Sequence, residues 1–199
     1  MAELKTILST LTPKTDVNQV TDLTIVSSGG DLYNSTPLEL KSKGWAVYQD
    51  STYTVGAPLT VASARVKLTN DTAGSGTDKT YLPAGVTDFW NSTTNKITPE
   101  NAGDAYDVRI QFKAKCSTVS AFFDFEIDIG GSLGVITSRT LSSSKGANTE
   151  QRYSVGIPVF TLATFVANGG EIYINSIDDG TTVSIYDIQI FIKRDYASI

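Results

Sequence analysis

Tyr106-Asp107-Val108-Arg109-Ile110-Gln111-Phe112-Lys113-Ala114-Lys115 decides the fold. Tyr106, Val108, Ile110, Phe112 and Ala114 fall on one side of a period-two ribbon. Asp107, Arg109, Gln111, Lys113 and Lys115 fall on the other. Successive side chains of a strand point to opposite faces, so this is a half-buried antiparallel strand with one face on a core. Ala121–Ile129 repeats the pattern, with Phe123, Phe125, Ile127 and Ile129 against Asp124, Glu126 and Asp128, and Gly130-Gly131 closes it.

Shorter strands are expected on either side. Gly44 onward brings Trp45, Val47, Tyr48 and Tyr53; Arg65–Thr69 alternates and stops at Asn70-Asp71; Val135–Leu141, Arg152–Ile157 and Glu171–Asn175 follow. Thr72–Thr80 and Ile97–Gly103 read as loops, and Phe160–Ala167 as a loop or one helical turn. Asp178-Asp179-Gly180 carries a hairpin signal before a last strand, Thr182–Lys193. That makes about eight strands after Gly44 without helical period or fixed repeat. Two packed antiparallel sheets, a jelly-roll sandwich, are the natural solution.

The first 43 residues differ, with Tyr33 as their one aromatic. Leu4, Ile7, Leu8 and Leu11 mark one face of a short helix that Pro13 ends. A helix this short is unstable alone and must dock on something. A short strand is expected around Leu23, Ile25 and Val26. Residues 1–43 therefore read as an extended arm with apolar anchors, and residues 44–199 as the jelly-roll domain.

Composition bounds function by exclusion. The 199-residue chain has a formal charge of −5 and no basic run, which argues against nucleic-acid binding. It has no histidine, which removes Ser-His-Asp and Cys-His catalysis and the commonest metal ligand. Cys116 is the one cysteine, so no intrachain disulfide forms; it reads as a small buried hydrophobe. No apolar run reaches membrane-spanning length, and Met1–Leu11 lacks the basic leader and unbroken apolar run of a secretory signal. Neither a cofactor nor a metal is expected.

Asp124, Glu126 and Asp128 form the sharpest chemical candidate, a row of carboxylates at roughly 7 Å spacing. Such a row suits calcium or glycosidic cleavage. The plainer reading is a solvated outer face, paired with Arg109, Lys113 and Lys115 of the neighbouring strand. Asp178-Asp179-Gly180 reads as an ordinary turn. Trp45, Tyr48, Tyr53, Phe89, Trp90 and Tyr106 read as core or subunit interface, with Phe89 and Trp90 as a sugar-stacking alternative. Sequons at Asn34, Asn70 and Asn91 arise readily in a chain that is nearly a quarter Ser and Thr. In the last strand, Tyr186, Ile188, Ile190, Phe191 and Ile192 put apolar groups on both faces, which points to a subunit interface.

Several stretches resemble small virion proteins of tailed bacteriophages that end in a TNF-like jelly roll. They are Gly44-Trp45-Ala46-Val47-Tyr48 with Asp50-Ser51-Thr52-Tyr53, Thr80-Tyr81-Leu82-Pro83, Ile97-Thr98-Pro99-Glu100-Asn101 leading into Gly103-Asp104-Ala105-Tyr106, and Ile185-Tyr186-Asp187-Ile188. The resemblance covers roughly 150 residues and includes no catalytic signature. It implies a non-enzymatic homotrimer, made in the host cytoplasm and carried on the outer surface of the virion as a capsid decoration or head knob. The arm, through Leu4, Ile7, Leu8 and Leu11, then implies attachment to the major capsid protein or another virion protein. The alternative it leaves is a fibre tip that binds a host surface glycan.

Overall fold

Alternation along a strand has to be completed by a second apolar face, and the computed structural model shows how. It describes residues 24–28, 31–35 and 43–198 apart from Ser63. The chain divides into two compact units, Met1–Lys41 and Ser42–Ile199. In the first, β1 (Thr24–Ser28) pairs antiparallel with β2 (Asp31–Ser35). The expected helix carrying Leu4, Ile7, Leu8 and Leu11 lies outside the described residues.

The second unit contains β3 (Gly44–Gln49), β4 (Leu59–Val61), β5 (Val66–Lys67), β6 (Trp90–Asn91), β7 (Lys96–Ile97), β8 (Ala105–Cys116), β9 (Phe122–Asp128), β10 (Val135–Ser142), β11 (Gln151–Phe160), α1 (Ala163–Asn168), β12 (Glu171–Ser176) and β13 (Val183–Tyr196). One sheet has the order β10-β9-β12-β5. The other has the order β11-β8-β13-β3, with β4 also on β13. The pairings nest: β9 with β10, β8 with β11, β5 with β12, β3 with β13. A long antiparallel ribbon rolled up on itself gives this nesting, which is the jelly roll. All sheet pairings are antiparallel. The short β6–β7 hairpin pairs with itself and is bridged to the start of β12 through Ile97 and Gly170.

The apolar sides meet between the sheets. Val108, Ile110 and Phe112 of β8, Phe123, Phe125 and Ile127 of β9, Ile172 and Ile174 of β12, and Ile188, Ile190 and Ile192 of β13 are all buried. Each such side chain contributes roughly 1.5–3 kcal/mol by leaving water. Phe112 stacks on Phe125 at 4.8 Å and on Tyr153 at 5.2 Å, filling the space between β8, β9 and β11.

Two sequence expectations are corrected by this topology. The Asp178-Asp179-Gly180 turn joins β12 to β13, which lie in different sheets, so it makes a crossover instead of a hairpin. The two-faced β13 is an artefact of parity. Its register shifts between Tyr186 and Gln189, where Asp187 takes φ 53°, a bulge in the left-handed region. Val183 and Ile185 point inward before the bulge, and Ile188, Ile190 and Ile192 point inward after it. A single extra residue thus returns both halves of the strand to the same core.

Candidate functional site

The outward face of the five-stranded sheet can be mapped row by row from its register. One row crosses the strands as Pro158–Asp107–Lys193–Trp45, and the next as Gly156–Arg109–Phe191–Val47. Trp45 stacks on Tyr81 with ring centroids 4.5 Å apart and packs against Phe191 at 5.8 Å. The Arg109 guanidinium reaches over Phe191 while pairing with Asp107 at 2.7 Å. Tyr81 is 55% exposed. This aromatic patch covers the β3 edge of the sheet.

A second apolar surface lies at the opposite edge. The free edges of β10 and β11 flank a slot lined by Ile136, Pro158, Phe160, Leu162 and Phe165. Phe160 is 61% exposed, and Leu162, Leu133, Val135 and Ile136 are exposed as well. Arg139 pairs opposite the inward-facing Phe125 yet is exposed, which places a charge at the mouth of the open sandwich edge. Both apolar surfaces sit at one end of the domain. The register puts the start of β3 and the ends of β11 and β13 beside the start of β8 there.

That end is also where the chain is locked. Asp104 is fully buried; its Oδ1 accepts the Ser198 N–H at 2.7 Å, and its Oδ2 accepts the Tyr106 hydroxyl at 3.0 Å and lies 3.5 Å from Arg194 Nη1. Thr161 donates to the Asn101 and Asp104 carbonyls. A Cβ on Gly103, which has φ 95°, would come within 2.8 Å of Ser198 Oγ, so the turn needs glycine.

Four of the five residues read from the sequence as an interface are buried within the subunit. Ile188, Ile190 and Ile192 belong to the core. Tyr186 is covered on the outer side, where its hydroxyl donates to Glu150 at 2.6 Å and Lys115 approaches its ring. Phe191 alone of the five retains exposure, in the aromatic patch. Phe89 and Trp90, the sugar-stacking alternative, are both buried. Trp90 Nε1 donates to the Asn70 carbonyl, and the Phe89 N–H donates to Tyr48 Oη, so these rings hold loops onto the core. Tyr48 and Tyr106 are core too, and burial pushes both phenols up.

The acidic row of β9 is engaged, with different partners from those expected. β8 and β9 lie in different sheets, so Arg109, Lys113 and Lys115 do not reach it. Arg65 instead contacts Glu126 at 2.8 Å and Asp128 at 2.9 Å, with its guanidinium 3.7 Å from the Tyr173 ring centroid. Asp124 accepts the Thr140 hydroxyl. Cys116 is buried, and burial raises its thiol above the ordinary value.

No family model and no curated protein matches this chain. Among solved structures it is similar to PRD1 vertex protein P5, at 13% identity over 89% of this chain and 83% of that one, with a TM-score of 0.43. It is similar to the Eiger TNF from S. frugiperda, at 13% identity over 79% and 96% of the two chains, TM-score 0.46. It is also similar to the globular domain of zebrafish complement 1qA protein, at 10% identity over 78% and 98%, TM-score 0.44.

Proposed function

We propose that this chain is a non-enzymatic structural protein of a bacteriophage virion. Its β domain assembles into a closed trimeric knob on the outer surface of the particle, and residues 1–43 attach it to the major capsid protein or another virion protein. The bacteriophage setting and the number three rest on the sequence resemblance.

One observation carries the assembly. Two unlike apolar surfaces lie at opposite edges of a single sheet and at the same end of the domain. A surface that meets an unlike surface on the next copy makes a head-to-tail contact, and such contacts form a ring when the rotation closes. The Phe160–Leu162–Ile136 slot of one copy would receive the Trp45–Tyr81–Phe191 patch of the next. Burial of exposed aromatic and aliphatic surface on each copy would drive the association. The acidic row, which offered chemistry, is taken up by Arg65 and Thr140.

Light scattering of the purified full chain should give the mass of three copies. Phe160→Asp should give a monomer with an unchanged circular-dichroism spectrum. A wild-type monomer would overturn the assembly. Deleting residues 1–43 should leave the association intact and abolish incorporation into particles; incorporation of the truncated chain would overturn the attachment.

A further inference from the structure

The outer face of the five-stranded sheet continues away from the apolar end into a polar groove of about 630 Å³. The register aligns four side chains across it: Ser154 opposite Gln111, Gln111 opposite Gln189, and Gln189 opposite Gln49. Their chain neighbours Val155, Ile110, Ile190 and Tyr48 are buried, so the four belong to the outward side. Adjacent strands lie about 4.8 Å apart, so the backbones of three glutamines follow one another at that pitch. Arg152 and the Lys113–Asp187 pair, 2.8 Å apart, border the row.

This row is built. The 72–77 loop closes on Gln49: Gly74 N–H donates to its carbonyl at 2.9 Å, Gly76 N–H donates to its side-chain Oε1 at 2.6 Å, and its own N–H donates to Thr77 Oγ1 at 3.0 Å. A Cβ at Gly74 would fall 2.8 Å from the Gln49 carbonyl oxygen, so the approach requires glycine there, and one at Gly76 would displace the Gln49 amide from its bond. The bond from Gly76 fixes which end of the Gln49 amide is oxygen and leaves the two Nε2 hydrogens for a ligand. Among the described residues, the side-chain amides of Gln111 and Gln189 have no hydrogen-bond partner.

We infer that this amide row is a binding site for a saccharide chain. Gln111 and Gln189 each offer a donor and an acceptor, and Gln49 offers its Nε2 donors, which suits hydroxyl groups that also donate and accept. The row runs across several strands, so it presents a line of such groups to an extended ligand. A nucleic acid would need a run of positive charge, and of the two cations at the row Lys113 is engaged by Asp187 and faces Glu150, which leaves Arg152 alone to meet a phosphate. A peptide strand would pair with a sheet edge, and the row lies on a face. The row is the next one along the sheet from the Arg109–Phe191–Val47 row, and it lies away from the Phe160 slot.

Affinity electrophoresis of the full chain in gels containing dextran, xylan, a mixed-linkage β-glucan or purified bacterial O-polysaccharide tests this directly. At least one polymer should retard the wild type, and the Gln111→Ala/Gln189→Ala double variant should bind it about tenfold or more weakly with unchanged circular dichroism. Phe160→Asp should still be retarded, so a failure of assembly and a failure of the groove read out separately. No retardation by any of the four polymers, or equal retardation of the double variant, overturns the inference.

Discussion

Glu171 and Asp71 show what single carboxylates do in this domain. Burial works to raise the Glu171 carboxyl, but Lys67 at 2.8 Å, the Tyr173 hydroxyl and Lys96 outweigh it and pull the group down to about 2. Burial likewise opposes ionisation of Asp71, yet the Ser51 hydroxyl and the Ala73 and Ser51 N–H groups bring it to about 2. A carboxyl held below its unfolded value stabilises the fold above that value and loses the contribution as pH falls through the folded value. Asp50 runs the other way: burial raises it, so it penalises the fold at neutral pH and relaxes in acid. The denaturation midpoint should therefore fall between about pH 4.5 and pH 2, with a shallower fall in Glu171→Gln. An equal fall in both proteins would contradict the assignment. The lysine partners were not legible in the sequence, because Lys67, Lys96 and Glu171 are distant along the chain and meet only through the fold, whereas Tyr173 and Ala73 lie two residues from their carboxylates. The same distance hid the role of Arg65, whose neighbours Glu126 and Asp128 come from another strand.

At the scale of the element, β13 teaches the most. Its first and last halves were each readable as alternating strand, and the step from Ile185 to Ile188 is odd. An odd step within a period-two pattern marks an inserted residue, and that signal was present in the sequence. Read as one uninterrupted strand, it produced a false second apolar face and hence a false interface at Ile188, Ile190 and Ile192. Asp187 occupies the bulge at φ 53°, where glycine is comfortable and a β-branched residue is not. Asp187→Gly should change stability by less than about 1 kcal/mol, whereas Asp187→Val should cost roughly 1–2 kcal/mol more in urea titrations. Equal stability of the two variants would mean that the bulge imposes no backbone demand. The clean alternation of β8 and β9 was legible for the opposite reason: each stays in register along its length. Their placement in different sheets was not legible, since nothing in either strand records whether the chain crosses over between them.

For the whole molecule, the sequence was sufficient for an all-β sandwich, because apolar alternation and turn residues are local properties. It was not sufficient for the surfaces. The edge slot at Phe160 and the patch at Trp45, Tyr81 and Phe191 are each assembled from segments far apart in the chain. The two ends of the β domain share that property. Gly44, at its entry, pairs directly with Arg194, and Ser198 is clipped to the buried Asp104 six strands' worth of chain away. Entry and exit thus sit side by side, while the 144–149 loop at the far end is exposed throughout. Adjacent termini make a domain indifferent to where its chain is cut. A circular permutant joining residue 198 to residue 43 by a short glycine-serine linker, and opened between Gly146 and Ala147, should melt cooperatively with native circular dichroism. Loss of the cooperative melt would contradict the pairing of Gly44 with Arg194. The domain would then behave as a plug-in cassette: passenger peptides could be threaded through the 144–149 loop and displayed away from the end where its entry and exit meet.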